Sequence, residues 1–413
     1  MEQSLLSVAE ARERLLQKLV RVDIIQKPLL EAENMFLAED IRAPQAYPRF
    51  DNSSMDGFAV RAQDIATATI TEPSKLEIIE MIQAGVMPKK SVGVKQAARI
   101  MTGAAMPEGA DCVVPIEQTN LNWRQSEVAE NAKEVEIYEP VKNGDYVRRS
   151  GEDYHTDQIV LKKRRLRAQD IGFLAMLGVA QVRVFRKPRV GLLSSGDELV
   201  APGNSLQPGQ IYESNSYTLR ILAQKYHATV YWLGIVRDEE AAVRKAFDQA
   251  LAANVDLIVS TAGVSVGAFD FVREVLEKSG SLEFWRVNMR PGKPVAFGSY
   301  HSIPFIGLPG NPVSSFVGFE VFARPALLYL SGEEARERAS VLVTLEDDIE
   351  SDGRESYLRA VVTNHGLQKT ARLTGHQGSG NLHSLVEANA LLIIPSGVKS
   401  LRSGSNVEAW LID

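Results

Sequence analysis

The hydrophobic and polar positions follow two different rhythms along the chain. Residues 75–140 and 340–413 alternate apolar and polar side chains in short runs, and Gly and Pro separate the runs. This alternation is typical of β-strands that bury one face. From 187 to 330, by contrast, short apolar runs alternate with segments of helical spacing. That second rhythm predicts a parallel sheet with right-handed helical crossovers, so the chain combines β domains with an α/β domain.

Individual elements follow from the same pattern. Near the start, Ser7 and Glu10 form a capping box before an amphipathic helix, and a second helix is expected at 168–177. The alternating runs after 340 predict a small β-barrel. The α/β region predicts strands at 189–195, 229–236 and 256–261, and helices at 216–226, 239–252 and 269–278.

Acidic residues follow the predicted strands of the α/β region. Asp197 and Glu198 come after the first strand, Asp238 after the second, and Asp270 after the third. Ligands bind at the carboxyl edge of open α/β sheets, and hard cations such as Mg²⁺ prefer carboxylate and phosphate oxygens. Asp238 by itself is also an ordinary helix N-cap. Four acidic positions at one edge favour a metal site there.

Three glycine-containing loops lie close together in the second half of the α/β region. The turn 262–267 leads from a strand into a helix, where backbone N–H groups form a natural anion site. The loop 290–294 adds the cations Arg290 and Lys293, and the stiff turn 307–314 opens the next helix. One glycine turn of this kind is equally explained by left-handed backbone geometry, and no dinucleotide or P-loop motif is present. Together the loops favour a site for a phosphorylated or oxyanionic ligand with a metal.

Further polar loops lie outside the α/β region. The segment 51–57 is too polar for a core element, although its aspartates are also ordinary turn caps. Thr102 lies on a turn, Asp153 belongs to a mixed-charge segment that suits ligand contact, and 374–381 is rich in glycine. The basic run 162–167 favours a solvated face over a polyanion patch.

Composition narrows the class of protein. With 413 residues, 45% of them hydrophobic and 24% charged, the chain fits an ordinary soluble protein of roughly two to four domains. The net charge of −6 argues against wholesale nucleic-acid binding, and no membrane span is expected because the sequence has no uninterrupted apolar run of about 18 residues. Cys112 is the single cysteine, which excludes an internal disulfide and a cysteine-cluster metal site. With no secretory signal at the start, a cytoplasmic protein is expected.

Eight motifs, taken together and in order, resemble one family. They are FDNSSMDG from Phe50, MTGA from Met101, RSGED from Arg149, SGDEL from Ser195, GVSVG from Gly263, RPGKP from Arg290, GLPGNPVS from Gly307 and TGHQGS from Thr374. They resemble the MoeA family of molybdopterin molybdenumtransferases, which is related to the gephyrin E domain. The match spans nearly the whole chain. Arg290 stands where the family is expected to have Lys, and the run 162–167 is not a recognised family motif.

The resemblance implies a multidomain α/β fold in four parts. These are an N-terminal helical and extended domain (1–51 and 147–186), an inserted β domain (52–146), a MogA-like α/β domain with a parallel sheet (187–331) and a C-terminal β-barrel (332–413). It also implies an elongated homodimer in which each active site draws on both subunits.

The resemblance further implies the reaction and its residues. Molybdate is inserted into adenylylated molybdopterin, AMP leaves, and a divalent cation such as Mg²⁺ assists. Contact with the upstream adenylyltransferase is a further expectation, and neither nucleic acid nor a membrane is expected as a partner. The implied catalytic residues are Asp56, Thr102, Asp153, Glu198, Asp238 and Asp270, of which the last three hold the metal. The implied substrate-binding residues are Ser265, Gly267, Arg290, Lys293, Pro309, Pro312, Ser314, Arg359 and Ser379, with molybdate near Lys293, Ser314, Arg359 and Ser379.

Two other functions fit parts of the pattern. A MogA-like molybdopterin adenylyltransferase would use the α/β domain alone, which leaves 1–180 and 340–413 without a role. Incubation with ATP and molybdopterin separates this alternative, because it alone forms the adenylate. A gephyrin-like non-enzymatic scaffold would need an exposed partner groove, and no long linker or appended module is visible in the sequence.

Overall fold

The protein forms two compact units. A computed structural model describes residues 5–121, 132–261, 269–335, 337–366 and 368–412. Unit 1 consists of residues 1–38, 164–171 and 180–413, and unit 2 consists of residues 39–163 and 172–179. The α/β region and the C-terminal β region both belong to unit 1. The division of the sequence into four domains stays a prediction beside these two units.

The four helices that were predicted with bounds begin and end within a residue or two of the predicted positions. At the start of the first helix the predicted capping box is present, since the Ser7 hydroxyl accepts the Glu10 N–H and the Glu10 carboxylate accepts the Ser7 N–H. Val8, Ala11 and Leu15 are buried along one face of that helix. The described α-helices are α1 (Val8–Gln17), α2 (Ala168–Met176), α3 (Asn215–Lys225), α4 (Glu240–Ala252), α5 (Phe269–Ser279), α6 (Pro312–Gly318), α7 (Arg324–Leu330) and α8 (Leu382–Val386).

Unit 2 contains a five-stranded sheet with the spatial order β4-β1-β3-β2-β5. Its strands are β1 (Gly57–Val60), β2 (Ser74–Ile82), β3 (Gln96–Ile100), β4 (Cys112–Pro115) and β5 (Glu134–Ile137). Phe58, Val114 and Val135 are part of its hydrophobic core. Gly57 is required at the start of β1, because a Cβ there would lie 2.0 Å from the Val114 carbonyl oxygen.

Unit 1 is built around a six-stranded sheet with the order β7-β6-β8-β11-β10-β9. Its strands are β6 (Arg189–Ser195), β7 (Thr229–Val236), β8 (Leu257–Thr261), β9 (Gly280–Arg286), β10 (Pro294–Tyr300) and β11 (Ile303–Leu308). The strands β7, β6, β8 and β11 are parallel, and the first three of them are the strands that the sequence predicted. Leu192 and Val259 pack with α3 and α6, whereas Leu193 and Ile258 pack with α4 and α5. Burial on both faces explains why these strands read as nearly continuous apolar runs.

The sheet also contains one antiparallel strand, β10, which the sequence pattern did not indicate. β10 pairs antiparallel with both β11 and β9. Small residues permit this hairpin, since a Cβ on Gly298 would lie 2.2 Å from the Ser281 carbonyl oxygen. Because β10 reverses direction, it begins at the sheet edge where the parallel strands end. The loop 287–293 between β9 and β10 therefore reaches the same edge as the carboxyl ends of β6, β7, β8 and β11.

The C-terminal part of unit 1 is a closed five-stranded barrel, as predicted. Its strands are β12 (Ser340–Leu345), β13 (Glu355–His365), β14 (Gln368–Leu373), β15 (Ala390–Ile394) and β16 (Asn406–Leu411). Neighbouring strands follow the order β13-β14-β12-β16-β15, and β15 pairs with β13 to close the barrel. The short strand Met289–Arg290 pairs with the start of β13, which ties the loop 287–293 to the barrel.

Shorter strands complete the two units. In unit 1, Gln181–Phe185 lies between Ile24–Pro28 and Phe36–Leu37. The remaining short pairs are Ile41–Arg42 with Ile159–Leu161, Asn52–Ser53 with Val147–Arg148, Leu199–Val200 with Ile211–Tyr212, and Ile349–Glu350 with Ser400–Leu401.

One helical segment departs from the expectation that the chain contains no long apolar run. Pro312–Leu330 is continuous through α6, a π-helical turn (Phe319–Ala323) and α7. By length and composition, with 19 residues and a mean hydropathy of 1.3, it is apolar enough to cross a membrane. However, 83% of its most apolar window is buried inside the protein, as in the core helix of a globular domain. In the sequence the segment is not a continuous apolar run, because Glu320 and Arg324 interrupt it.

Candidate functional site

A cavity of about 690 Å³ opens at the carboxyl edge of the six-stranded sheet in unit 1. Residues that follow β6, β7 and β11 line it, together with the loop 287–293 and residues of the barrel region. Many predicted site residues meet here. The predicted residues in the cavity lining are Glu198, Asp238, Arg290, Lys293, Pro309, Pro312, Ser314 and Ser379.

Carboxylates occupy the part of the cavity formed by the ends of β6 and β7. Glu198 follows β6, and its carboxylate folds back against Gly196. Asp238 follows β7, and its Oδ1 atom is buried without a hydrogen-bond partner among the described residues. Burial, with the charges of Asp197 and Glu198 added to it, raises the pKa of the Asp238 carboxyl. A cation would stabilise an unpartnered carboxylate oxygen beside a second carboxylate.

Cations occupy the part of the cavity formed by the loop 287–293 and the barrel. Arg354 lies just before β13, where its guanidinium donates to Asp352 and, at 3.1 Å, to the Met289 carbonyl. Arg290 lies 4.0 Å from the same Asp352 carboxylate. Lys293 is exposed in the cavity lining and forms no ion pair with any described residue, so its charge is available to an anionic ligand.

Hydrogen bonds between loops hold the remaining wall together. Asn311 Nδ2 donates to Ser379 Oγ at 3.0 Å, and Asn215 Nδ2 donates to the Gly310 carbonyl at 2.7 Å. Ser314 is buried in the first turn of α6. Segments that lie far apart in sequence are thereby fixed in one surface before a ligand binds, which lowers the entropic cost of binding.

Arg359 takes a different place from the other predicted anion ligands. Its side chain is fully buried and does not belong to the cavity lining. It donates to Ser384 Oγ at 3.1 Å and to the carbonyls of His376 and Gly378 at 3.3 and 3.0 Å. Burial, with the charge of Arg290 added to it, lowers the pKa of the guanidinium to about 10. These contacts place Arg359 beneath the 374–381 loop as a positioning residue, and its direct contact with molybdate stays a prediction.

Asp56, Thr102 and Asp153 belong to unit 2. Thr102 donates its hydroxyl and its backbone N–H to Asp56 Oδ1, each at 2.7 Å. These two hydrogen bonds hold the pKa of the Asp56 carboxyl below its usual value. Asp153 accepts two hydrogen bonds from the Arg148 guanidinium, at 2.8 and 2.9 Å. The structure thus joins Asp56 and Thr102, which lie in separate motifs of the sequence.

Some predicted residues lie outside the described part of the chain. Ser265 and Gly267 are outside it, and so is the side chain of Asp270 at the start of α5. Within the described ranges, no group of three or more His, Cys, Asp and Glu side chains is arranged to hold a metal ion. The described part of the predicted metal site therefore consists of Glu198 and Asp238.

Several cavity residues were not singled out from the sequence. Glu213 is almost fully buried, and it accepts hydrogen bonds from Ser194 Oγ at 3.0 Å and from the Ser216 N–H at 2.7 Å. Arg354 and Tyr212 also line the cavity. Their sequence signals are weak, because Glu213 precedes a helix like any capping residue and Arg354 lies in an ordinary charged turn. Strand pairing, and not a motif, brings them to the site.

Three family models match the chain in order. Residues 6–178 match the MoeA N-terminal region (domain I and II), and residues 191–329 match a probable molybdopterin binding domain. Residues 343–412 match the MoeA C-terminal region (domain IV). The matched segments include the five-stranded sheet of unit 2, the six-stranded sheet of unit 1 and the closed barrel.

Relatives that align over nearly the full chain agree with these models. The chain is 36% identical over 411 residues to a molybdopterin molybdenumtransferase of Haemophilus influenzae, with 98% of each chain covered. It is 38% identical over 387 residues to one of Nostoc sp., which covers 92% of this chain and 86% of that relative. The crystal structure of the molybdopterin biosynthesis MoeA protein from Pyrococcus horikoshii OT3 matches with a TM-score of 0.81 and 30% identity, covering 99% of this chain and 100% of that one. Fold, site and matches together define a multidomain transferase of molybdenum cofactor biosynthesis. The chain belongs to the molybdopterin molybdenumtransferase (MoeA) family.

Proposed function

We propose that this protein inserts molybdate into adenylylated molybdopterin and releases AMP. The observation that carries the proposal is the meeting of an available cation, Lys293, and an unpartnered carboxylate oxygen, Asp238 Oδ1, in one cavity of a MoeA-family chain. The substrate carries a pyrophosphate and molybdate is a dianion, so both need positively charged or N–H donors. The dithiolene sulfurs that bind molybdenum belong to the pterin, which is compatible with a protein that has one cysteine.

The cationic side of the cavity suits molybdate. Lys293 offers an available charge, and Ser314 and Ser379 add hydroxyl groups beside it. Hydrogen bonds from a charged donor are roughly twice as strong as neutral ones, so the lysine would dominate the binding of a dianion. Arg359 would keep the loop of Ser379 in place from behind, through its bonds to backbone carbonyls.

The carboxylate side suits a divalent cation such as Mg²⁺. Glu198 and Asp238 would hold it, with Asp270 as the third ligand that the sequence predicted. The unpartnered Oδ1 of Asp238 fits this assignment, because Mg²⁺ takes oxygen ligands and keeps several waters. When bound, such an ion offsets the negative charge that develops on phosphates as an anhydride bond breaks.

The assembly proposed with this function is a cytoplasmic homodimer whose active sites each draw on both subunits, as the family resemblance implies. Under this proposal Asp56, Thr102 and Asp153 come from one subunit and the cavity residues from the other. Contact with the upstream adenylyltransferase belongs to the same proposal, because the adenylylated pterin would pass from that enzyme to this one.

Cofactor formation from defined components tests the proposal. Purified protein with adenylylated molybdopterin, molybdate and Mg²⁺ should release AMP and molybdenum cofactor. An adenylyltransferase of the MogA type is the alternative, because residues 191–329 match a molybdopterin binding domain on their own. Incubation with ATP and molybdopterin should therefore yield no adenylate. Adenylate formation, or no AMP release from the complete mixture, would contradict the proposed function.

A further inference from the structure

A second buried polar atom lines the cavity without a partner. The side chain of Ser195 is 1% exposed, and its Oγ has no hydrogen-bond partner among the described residues. It belongs to the cavity lining together with Glu198 and Asp238. Buried hydroxyl groups in folded proteins nearly always have a partner, so an unpartnered one in a cavity wall indicates a ligand atom that completes it.

Strand register places Ser195 at the same sheet edge as Glu198 and Asp238. Ser195 is the last residue of β6 and pairs with Val236, the last residue of β7. Asp238 follows Val236 by two residues, and Glu198 follows Ser195 by three, with its carboxylate against Gly196. Three oxygen-bearing side chains thus leave the ends of two adjacent parallel strands.

The neighbouring hydroxyl groups do not share this situation. Ser194 donates to Glu213 at 3.0 Å and accepts from Thr261 at 2.9 Å, so it is satisfied inside the protein. Ser260 on β8 is buried and unpartnered, but it does not line the cavity. Among the described residues, Ser195 is the hydroxyl side chain that combines an unpartnered buried oxygen with a place in the cavity wall.

We propose that Ser195 is a further oxygen ligand of a divalent cation held by Glu198 and Asp238. The proposal rests on the proposed function for the role of that cation, although binding itself requires no pterin. A serine oxygen offers a lone pair without adding negative charge, in contrast to a further carboxylate. The bound cation would then keep more of its positive charge for the phosphate oxygens of the substrate.

Manganese binding to the full-length protein tests the proposal. MnCl₂ is titrated alone, without pterin or molybdate, and the free ion is followed by electron paramagnetic resonance. Ser195→Val and Ser195→Thr introduce side chains of the same shape, of which only threonine retains a hydroxyl group. The valine variant should bind Mn²⁺ about tenfold more weakly than the wild type. The threonine variant should stay within about twofold of it.

Two controls isolate the cation ligand. Ser260→Ala removes another buried, unpartnered hydroxyl group from the neighbouring strand β8, and it should leave Mn²⁺ affinity unchanged. Ser195→Ala, with a smaller side chain, repeats the loss of the oxygen should the valine disturb the fold, which circular dichroism reports. Like the valine variant, it should weaken Mn²⁺ binding.

Three results would overturn the proposal. They are equal Mn²⁺ affinity in the valine and threonine variants, no Mn²⁺ binding by the wild type, and a valine variant that keeps its Mn²⁺ affinity but loses affinity for the adenylylated pterin. The last result would assign the hydroxyl group to a phosphate oxygen. A protein that binds Mn²⁺ through Ser195 but releases no AMP would instead keep this inference and remove the proposed function.

Discussion

Asp352 lies between the two guanidinium groups of the cavity wall, those of Arg290 and Arg354. Its carboxylate neutralises part of their charge, and hydrogen bonding from Arg354 holds the pKa of Asp352 below its usual value. Lys293 lies in the same loop as Arg290 but has no carboxylate within ion-pair distance in the described part of the chain. At the scale of single residues, a dianion that enters the cavity therefore meets Lys293 as the least neutralised charge.

Lys293→Ala should raise the molybdate concentration that gives half-maximal cofactor formation by about tenfold or more. The reason is the loss of a charge-assisted hydrogen bond, which is worth about 1.5–3 kcal/mol. Affinity for the adenylylated pterin should change less. Initial rates at varied molybdate measure the effect, and Lys225→Ala, an exposed lysine outside the cavity, serves as the control. An unchanged molybdate dependence would remove Lys293 from the anion site.

His227 offers a test of electrostatics outside the cavity. Burial, with the charges of Arg165 and Lys187 added to it, lowers the pKa of His227 to about 4 from an ordinary value of 6.5. The unfolded chain therefore binds this proton more readily between these values. The contribution of neutral His227 to the free energy of unfolding should be complete above about pH 6.5, and it should be lost as the pH falls towards 4.

His227→Asn should remove this part of the pH dependence while keeping the backbone, because asparagine tolerates the φ of 62° at this position. Urea unfolding at pH 7 and pH 5 measures the difference. The wild type should lose about 1 kcal/mol more than the variant between these pH values, with screening by solvent taken into account. Identical losses in the two proteins would show that His227 contributes nothing to the acid sensitivity.

At the scale of elements, the predictable part of the site is the set of strand ends. β6 and β8 could be identified from the sequence because both faces are buried, and Glu198 and Asp238 then follow at the edge where ligands bind. The β9–β10 hairpin could not be identified in this way. Its close pairing depends on Gly280 and Gly298, and the facing carbonyls that require glycine come from the partner strand.

The same limit applies to single side chains on well-predicted elements. The family resemblance implied Arg359 as a site residue, but the direction of its side chain depends on the closure of the barrel around β13. Arg354 was missed because its place in the cavity depends on the pairing of Met289–Arg290 with β13. Residue types and strand ends could thus be predicted, whereas orientations set by long-range pairing could not.

Glu213 connects two of these elements, β6 and α3. Its buried carboxylate accepts hydrogen bonds from Ser194 Oγ and from both the N–H and the hydroxyl of Ser216. Glu213→Ala would leave these donors unpaired in the interior, so the free energy of unfolding should fall by about 2–3 kcal/mol. Glu239→Ala is a matched control before α4, where the residue makes no capping hydrogen bond, and its effect should stay within about 0.5 kcal/mol. Urea unfolding curves that coincide for the two variants would contradict this role.

At the scale of the whole molecule, the predicted site residues are divided between the two units. Asp56 and Thr102 belong to unit 2, whereas Asp238 and Lys293 belong to unit 1. In the homodimer that the family resemblance implies, every active site would take one set from each subunit. Such an arrangement predicts a behaviour that a self-contained active site does not show, because two inactive variants can restore activity to one another.

Coexpression of Asp56→Asn and Lys293→Ala chains, each with its own affinity tag, should therefore restore cofactor formation at limiting molybdate. Random pairing makes about half of the dimers mixed, and one of the two active sites in each mixed dimer carries neither change. Activity should reach about a quarter of the wild-type value, well above either variant alone. Lys293→Ala with Asp238→Asn is the matched control, since both changes fall in unit 1 and each site of a mixed dimer keeps one defect. Equal activity in the two mixtures, or no recovery in the first, would contradict an active site shared between subunits.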